Sequence, residues 1–383
     1  MTRIIADWID NPDTQTVCEM LTGAGYDCYF VGGCVRNALL DVPVNDIDIS
    51  TNAPPKRVIE LAMAAGLKSV PTGIDHGTVT VISGHVPFEI TTYRSDVKTD
   101  GRRAVVSFAD NIETDALRRD FTMNALYADA RGVVIDPLDG LPDLQARRVR
   151  FIEDADRRIK EDYLRILRFF RFHAWYGDVS AGLDTDGLAA CAANLEGLNQ
   201  LSKERIGSEI KKLLTAPDPA PSTASMKASG VLNAVLPRAD TDFLAVLVHL
   251  EDQTNTSPQP IRRLAALGGE NVETLLRLSK AETRRLHRLS EQIGSTLGAA
   301  ELGYRFGPDE ARDVILLRAT LLETPLDLAD FDRVQRGAMA KFPITAADLM
   351  PAYQGVELGV KLAELESNWI ASDFTLTKEQ LIA

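Results

Sequence analysis

The sequence predicts an α/β head built on a small mixed sheet, followed by an all-helical remainder. Three observations predict it. Between residues 26 and 135, short β-branched runs alternate with turns. Beyond residue 140 the strand signals fade and an apolar period of 3.6 takes over. The chain has 383 residues, and at roughly 100–200 residues per domain that suggests two or three domains.

Residues 1–25 read as a leading helix carrying Ile5, Trp8, Ile9, Val17 and Leu21, closed by Gly23 and Gly25. The stretches YFVGG (29–33), NDIDIS (45–50), TVTVIS (78–83) and PFEITTYR (87–94) read as strands. Between the second and third lies a helix with Val58, Ile59, Leu61, Ala62 and Ala65. In KEDYLRILRFFRFHAWY (160–176), Leu164, Leu167 and Phe170 share a helical face, with Arg165, Arg168 and Arg171 beside it. LSKERIGSEIKKLL (201–214) is a further amphipathic helix, and TAPDPAPSTAS (215–225) reads as a loop and internal boundary. The expected domains are therefore 1–140, 141–214 and 215–383, with no internal repeat.

Hydrophobic residues make up 45% and charged residues 25%, the balance of a globular rather than a disordered chain. Four cysteines without a C-x-x-C pair support neither a disulfide framework nor a structural zinc site. MTRIIADWID has no apolar core of a signal peptide, and FLAVLVHL (243–250) is far short of the ~20 residues a membrane span needs. The expectation is a soluble, cytoplasmic protein with no membrane contact. A net charge of −13 argues against a surface that grips nucleic acid everywhere. Over 147–171, however, nine Arg and Lys face five Asp and Glu, so any polyanion would meet one local face.

FVGGCVRNALLDVPVNDIDIS (30–50) is the most informative stretch. A strand runs into Gly32 and Gly33, and a helix carrying Arg36 follows. Glycines at such a turn let backbone N–H groups approach a phosphate. No G-K pair and no G-x-G-x-x-G occurs, which excludes a Walker loop and a dinucleotide fingerprint. Alternate side chains of a strand share a face, so Asp46 and Asp48 point together while Ile47 and Ile49 point inward. Two carboxylates on one face are costly unless a cation joins them, and hard oxygen ligands suit Mg²⁺. The five histidines are scattered and none precedes an aspartate, so no HD-type phosphohydrolase site is visible.

Further motifs follow in order: RRDFTMNAL (118–126), DPLDGLPDL (136–144), EDYLRILRFFRF (161–172) and ERIGSEIKKLL (204–214). With GGCVR and DID, this series resembles the nucleotidyltransferase signature of the polymerase-beta superfamily. More narrowly, it resembles the class II tRNA nucleotidyltransferases (CCA-adding enzymes) and their sibling bacterial poly(A) polymerases. The resemblance spans roughly residues 28–214, and the remainder has no comparable signature.

The resemblance implies an α/β nucleotidyltransferase head followed by a helical neck, body and tail. It implies template-independent CCA addition to tRNA from CTP and ATP, with Mg²⁺ held by Asp46 and Asp48 and with Glu89 as a third catalytic carboxylate. Gly32, Gly33 and Arg36 would meet the triphosphate. Arg118, Arg119 and Asp120 would meet phosphate and sugar hydroxyls, and Asn124 would brace its turn. Asp162 and Arg165, three apart on one helix face, would read the base. Cytosine and adenine both offer an amine donor beside a ring-nitrogen acceptor, which a carboxylate and a guanidinium complement. Uracil and guanine reverse that order and would leave both groups mismatched. Arg168 and Arg171 would extend the basic edge toward phosphates. Asp100, Gly101, Arg102 and Arg103, in the loop 95–108, would belong to a lever for adding A after CC. No stable protein partner is expected. Alternatives are a poly(A) polymerase, a CC- or A-adding enzyme, a small-molecule nucleotidyltransferase and a non-enzymatic RNA-binding protein.

Overall fold

Asn11 splits the leading helix in two. Its side-chain oxygen accepts the Asp13 amide at 2.8 Å and Pro12 opens the next helix, so α1 (Asp7–Asp10) gives way to α2 (Pro12–Thr22). The computed structural model describes residues 2–98 and 105–383. They divide into two units, Met1–Pro237 and Arg238–Ala383. The lever residues Asp100, Gly101, Arg102 and Arg103 lie outside the described residues.

The first unit contains strands β1 (Tyr29–Val31), β2 (Ile47–Thr51), β3 (Lys68–Gly73), β4 (Thr78–Ser83) and β5 (Val86–Thr92). A ribbon of β6 (Arg94–Lys98) and β7 (Val105–Phe108) follows, then β8 (Tyr127–Asp129) and β9 (Val134–Ile135). Seven of these form a mixed sheet in the order β3-β4-β5-β2-β1-β8-β9, in which β2 and β5 run parallel. Ile47 and Ile49 of β2 are buried and Asp48 between them is partly exposed, the alternation read from the sequence. β3 escapes that reading because it is an edge strand with little apolar patterning and a proline, Pro71, where its pairing with β4 shifts register. β8 and β9 are too short to show a period.

Helices α3 (Gly33–Leu39), α4 (Pro55–Ala64) and α5 (Ile112–Leu117) flank the sheet. Seven more complete the unit: α6 (Leu141–Gln145), α7 (Ala155–Glu161), α8 (Leu164–Tyr176), α9 (Thr185–Ala193), α10 (Lys203–Leu214), α11 (Ala220–Ala228) and α12 (Val231–Val235). Residues 160–176 are thus not one helix. Asp162 is extended (φ −152°, ψ 104°), and its carboxylate accepts the Leu164 amide at 3.1 Å, which starts α8 afresh. α8 buries Leu164, Leu167 and Phe170, but also Ile166, Phe169 and Phe172. Phe121, Phe151, Phe169 and Phe172 pack with ring centroids 4.9–6.3 Å apart, fixing α8 against the motif that begins at Arg118. Near the end of α8, Trp175 is 37% exposed and its indole N–H donates to the Lys212 carbonyl at 2.8 Å.

The loop expected at 215–225 is a second correction. Pro219 and Pro221 flank the first helical residue of α11, Ser222 and Thr223 are buried, and Ser222 Oγ lies 2.7 Å from His173 Nδ1. Prolines in a first helical turn cost no hydrogen bond, so a Pro-rich stretch here starts a helix rather than preventing one. His173 is a buried packing residue.

The second unit is all-helical: α13 (Leu244–Gln253), α14 (Pro260–Leu267), α15 (Val272–Leu275), α16 (Lys280–Ile293), α17 (Ala299–Leu321), α18 (Ala329–Met339), α19 (Ala346–Leu349), α20 (Gly355–Ala371) and α21 (Lys378–Ile382). α17 and α18 approach so closely at Gly303 and Gly337 that any Cβ there would lie about 2 Å from a backbone oxygen of the other helix. A closed ionic cluster sits in this unit. Buried Arg262 donates to Glu251 at 2.7 Å and to Asp313 at 2.6 Å, while Arg263 donates to Glu251 and Arg285 to Asp313. Among the described residues no helix is long and apolar enough to cross a membrane.

Candidate active site

The site begins at Gly32, whose φ of 68° and ψ of −117° suit glycine alone. A side chain there would also meet the Arg119 guanidinium at 3.4 Å. The turn opens onto a cavity of about 540 Å³. Its lining includes Gly32, Gly33, Arg36, Asp48, Arg118, Arg119, Asp120, Asp162, Arg165, Arg168 and Arg171, so one space gathers residues drawn from four separated motifs. Asp46 instead lines an adjoining cavity of about 170 Å³ that shares Gly33, Arg36 and Asp48 with the first. Glu89 lies in neither lining, but the parallel pairing of β2 and β5 sets it directly beside Asp48, on the same face of the sheet.

Burial pushes the Asp48 carboxyl up to about 6, and the negative charges of Glu89 and Asp46 push the same way against Arg119. This is the electrostatic signature of carboxylates short of cation. Among the described residues no three His, Cys, Asp or Glu side chains form a metal cage by themselves. A pair of carboxylates whose ion takes its remaining ligands from phosphate and water is the arrangement Mg²⁺ favours. The donor set therefore fits a divalent ion held jointly with a substrate.

The arginines are less free than the sequence implied. Arg118 and Arg119 both bind Asp115, each at 2.8 Å, and Arg119 also reaches Tyr127 OH at 3.1 Å. Asp115 was not singled out, although its spacing of three and four residues from two arginines on a helix was a visible signal. Asp120, expected to face sugar hydroxyls, accepts from Arg168 Nε at 2.7 Å and from Asn124 at 2.8 Å, and Arg171 donates to Glu209 at 2.6 Å. Asn124 braces its turn as expected.

Asp162 and Arg165 do not share a helix face, because the chain breaks between them and the break puts Asp162 outside α8. Both nevertheless line the cavity. Asp162 accepts from Arg205 at 2.7 Å. Arg165 donates to the Arg158 carbonyl and to Glu161, both at 2.6 Å, and to the Arg118 carbonyl at 3.1 Å. Arg94 and Arg205 also line the cavity, and neither was assigned a role from sequence. Only their motifs, the fourth strand and the helix at 204–214, were visible.

Arg36 is the exception among these cations. It is 6% exposed, and its donors go to Asn37 Oδ1 (2.8 and 3.2 Å), Asn124 Oδ1 (2.5 Å) and Tyr176 OH (2.9 Å). Its guanidinium lies 4.0 Å from the Tyr176 ring centroid and 5.1 Å from that of Phe172. Among the described residues its hydrogen-bond partners are all neutral, so its charge is not answered by a carboxylate at contact.

The chain resembles known proteins over the same regions. Residues 28–150 match the family described as "Poly A polymerase head domain" and residues 183–243 the one described as "Probable RNA and SrmB- binding site of polymerase A". The CCA-adding enzyme of Lactobacillus delbrueckii subsp. bulgaricus is 33% identical over 366 residues, 93% of this chain and 87% of its own length. CCA tRNA nucleotidyltransferase 1, mitochondrial, of Danio rerio is 30% identical over 386 residues, 96% of this chain and 89% of its own. In fold, the chain resembles the Bacillus stearothermophilus CCA-adding enzyme in complex with CTP, with a TM-score of 0.74 at 24% identity, covering 95% of this chain and 94% of that one. It likewise resembles the Thermotoga maritima CCA-adding enzyme complexed with tRNA-CCA, with a TM-score of 0.72 at 18% identity, covering 99% and 95%. Asp48, a glycine turn and a row of arginines around one cavity agree with these likenesses, and the chain belongs to the CCA-adding enzyme family of nucleotidyltransferases.

Proposed function

We propose that this chain adds CCA to the 3′ ends of tRNA from CTP and ATP, without a nucleic-acid template. One observation carries the reading. A single cavity is lined by Asp48, by Asp162 and Arg165, and by several further arginines, a set that suits metal, base and triphosphate. Asp46 and Asp48, with Glu89 beside them, would hold Mg²⁺, which when bound neutralises charge at the α-phosphate and activates the attacking 3′-hydroxyl. The Gly32–Gly33 backbone and Arg36 bind and orient the triphosphate, holding it for in-line attack. Arg118 and Arg119 lie on the same lining, but their pairing with Asp115 fits them to shape the wall and set its potential more than to grip phosphate.

Base choice follows from donor and acceptor counts. A carboxylate has about four lone-pair sites, so with Arg205 and the Leu164 amide bound, Asp162 can still accept a base amine. A guanidinium has five N–H donors, and Arg165 gives three to protein, keeping two for a ring nitrogen. Uracil and guanine would set a carbonyl against the Asp162 carboxylate. In this reading residues 1–140 are the catalytic head, 141–214 the neck, and 215–383 the body and tail that bear on tRNA. Four buried free cysteines suit a reducing cytoplasm.

The test is to incubate the protein with tRNA lacking its terminal CCA, labelled CTP and ATP, and Mg²⁺, and to size the product. Three added nucleotides are expected. A ladder of A residues would make the chain a poly(A) polymerase, and arrest after two C residues would make it a partial enzyme.

A further inference from the structure

α8 presents Arg168, Phe172 and Tyr176 at steps of four, a single stripe along one helix face. The two ends of that stripe are joined through the head. Tyr176 receives Arg36, Arg36 donates to Asn124, Asn124 donates to Asp120, and Asp120 receives Arg168. Arg36 lies in the first turn of α3, where its own amide donates to the Gly32 carbonyl at 2.9 Å. Whatever fixes the Arg36 side chain therefore also fixes the turn that bears on the triphosphate.

Tyr176 does this in two ways at once. Its hydroxyl accepts Arg36 Nη2 at 2.9 Å, and its ring lies under the guanidinium at 4.0 Å. Both are neutral contacts. They hold a buried cation without a carboxylate in contact with it, and burial lowers the affinity of that guanidinium for its proton although Tyr176 and the more distant Asp120 act the other way. A neutral cradle leaves the charge for an incoming anion.

We propose that Tyr176 is a positioning residue for nucleotide binding: by stacking on and hydrogen-bonding Arg36, it locks the Gly32–Gly33 turn to α8 and keeps the Arg36 charge available to the triphosphate. This rests on the assignment of the cavity to CTP and ATP. Because the triphosphate is common to all nucleotides, the effect of losing the cradle falls equally on each, and base choice is untouched.

The test uses full-length Tyr176→Leu and Tyr176→Phe. Steady-state kinetics on tRNA lacking CCA and calorimetric titration with CTP are run on both, with thermal melts as a control. For Tyr176→Leu, KM for CTP and for ATP and the Kd for CTP should rise together about tenfold, with kcat within about threefold and preference over UTP and GTP unchanged. Tyr176→Phe keeps the ring and should recover most of the loss. An unchanged KM and Kd in Tyr176→Leu would overturn the proposal. So would a loss confined to one nucleotide, or a rise in Tyr176→Phe as large as that in Tyr176→Leu. If the wild type transfers no nucleotide, the assigned function falls, and the CTP titration still reads the cradle separately.

Discussion

Both units of this protein bury arginines against carboxylates, but they do so to different ends. In the second unit Arg262, Arg263 and Arg285 share Glu251 and Asp313 in a largely buried cluster. In the first, the pairs Arg119–Asp115, Arg168–Asp120 and Arg171–Glu209 stand around an open cavity, and Arg36 there has neutral partners alone. A cluster that satisfies itself sets a packing arrangement. A cluster that is satisfied around its rim, and left short at one cation and one group of acids, is prepared for something that arrives with phosphate and metal.

The comparison can be broken at its largest expected effect by Asp48→Asn. Transfer should fall about 10³-fold or more, the scale of losing a group at the reacting atoms. The melting temperature should hold or rise, since a partly buried carboxyl among like charges is removed. A variant retaining a tenth of wild-type activity would show that Asp48 is not at the chemistry. The converse substitution is Arg262→Met. It removes the arginine that joins Glu251 to Asp313, leaving Arg263 on the first and Arg285 on the second, and should cost about 3 kcal/mol in urea denaturation. CTP affinity of the folded protein, measured by calorimetry, should not change.

Base choice is the next test. Arg165→Ala should lower the kcat/KM preference for CTP over UTP on the order of 10²-fold, because the mismatch that rejects uracil is partly lost. Unchanged selectivity would remove Arg165 from the reading. The smallest effect is on acid stability. Burial by itself would raise the carboxyls of Asp115 and Asp120, but Arg119 and Arg118 outweigh it at the first and Arg168 at the second, so both sit well below the usual range. Carboxyls depressed on folding add stability that is present above pH 4 and lost as pH falls through their folded values. Each should contribute about 2 kcal/mol at neutral pH. Melting from pH 7 to pH 2.5 should show a decline below pH 4 that Asp120→Asn makes shallower.

The motif-bearing half of the chain was legible because its chemistry needs rare local patterns: Gly32-Gly33, Asp46-x-Asp48, Arg118-Arg119-Asp120. The strands around them alternated clearly enough to place β2 against solvent on one face. What escaped was of two kinds. Elements governed by one or two residues were missed, such as the Asn11 cap, the Asp162 break and the prolines opening α11, because a single side chain can override a periodic signal. Pairings between distant segments were missed as well. Nothing in the order of residues ties Tyr176 to Arg36 across 140 positions, or Arg168 to Asp120. Those partners tie several of the cavity's arginines to carboxylates of the protein itself.

Trp175 adds a practical consequence. The chain has three tryptophans. Trp8 packs edge-on to Phe30, and Trp369 lies in the core of the second unit. Trp175 alone is next to the Arg36 cradle in sequence, partly open to water and anchored by its indole to α10. With Trp8 and Trp369 changed to phenylalanine, its emission would report on the end of α8 without any label. Nucleotide arrival, and the exchange of CTP for ATP between additions, could then be followed optically in real time in an unlabelled chain.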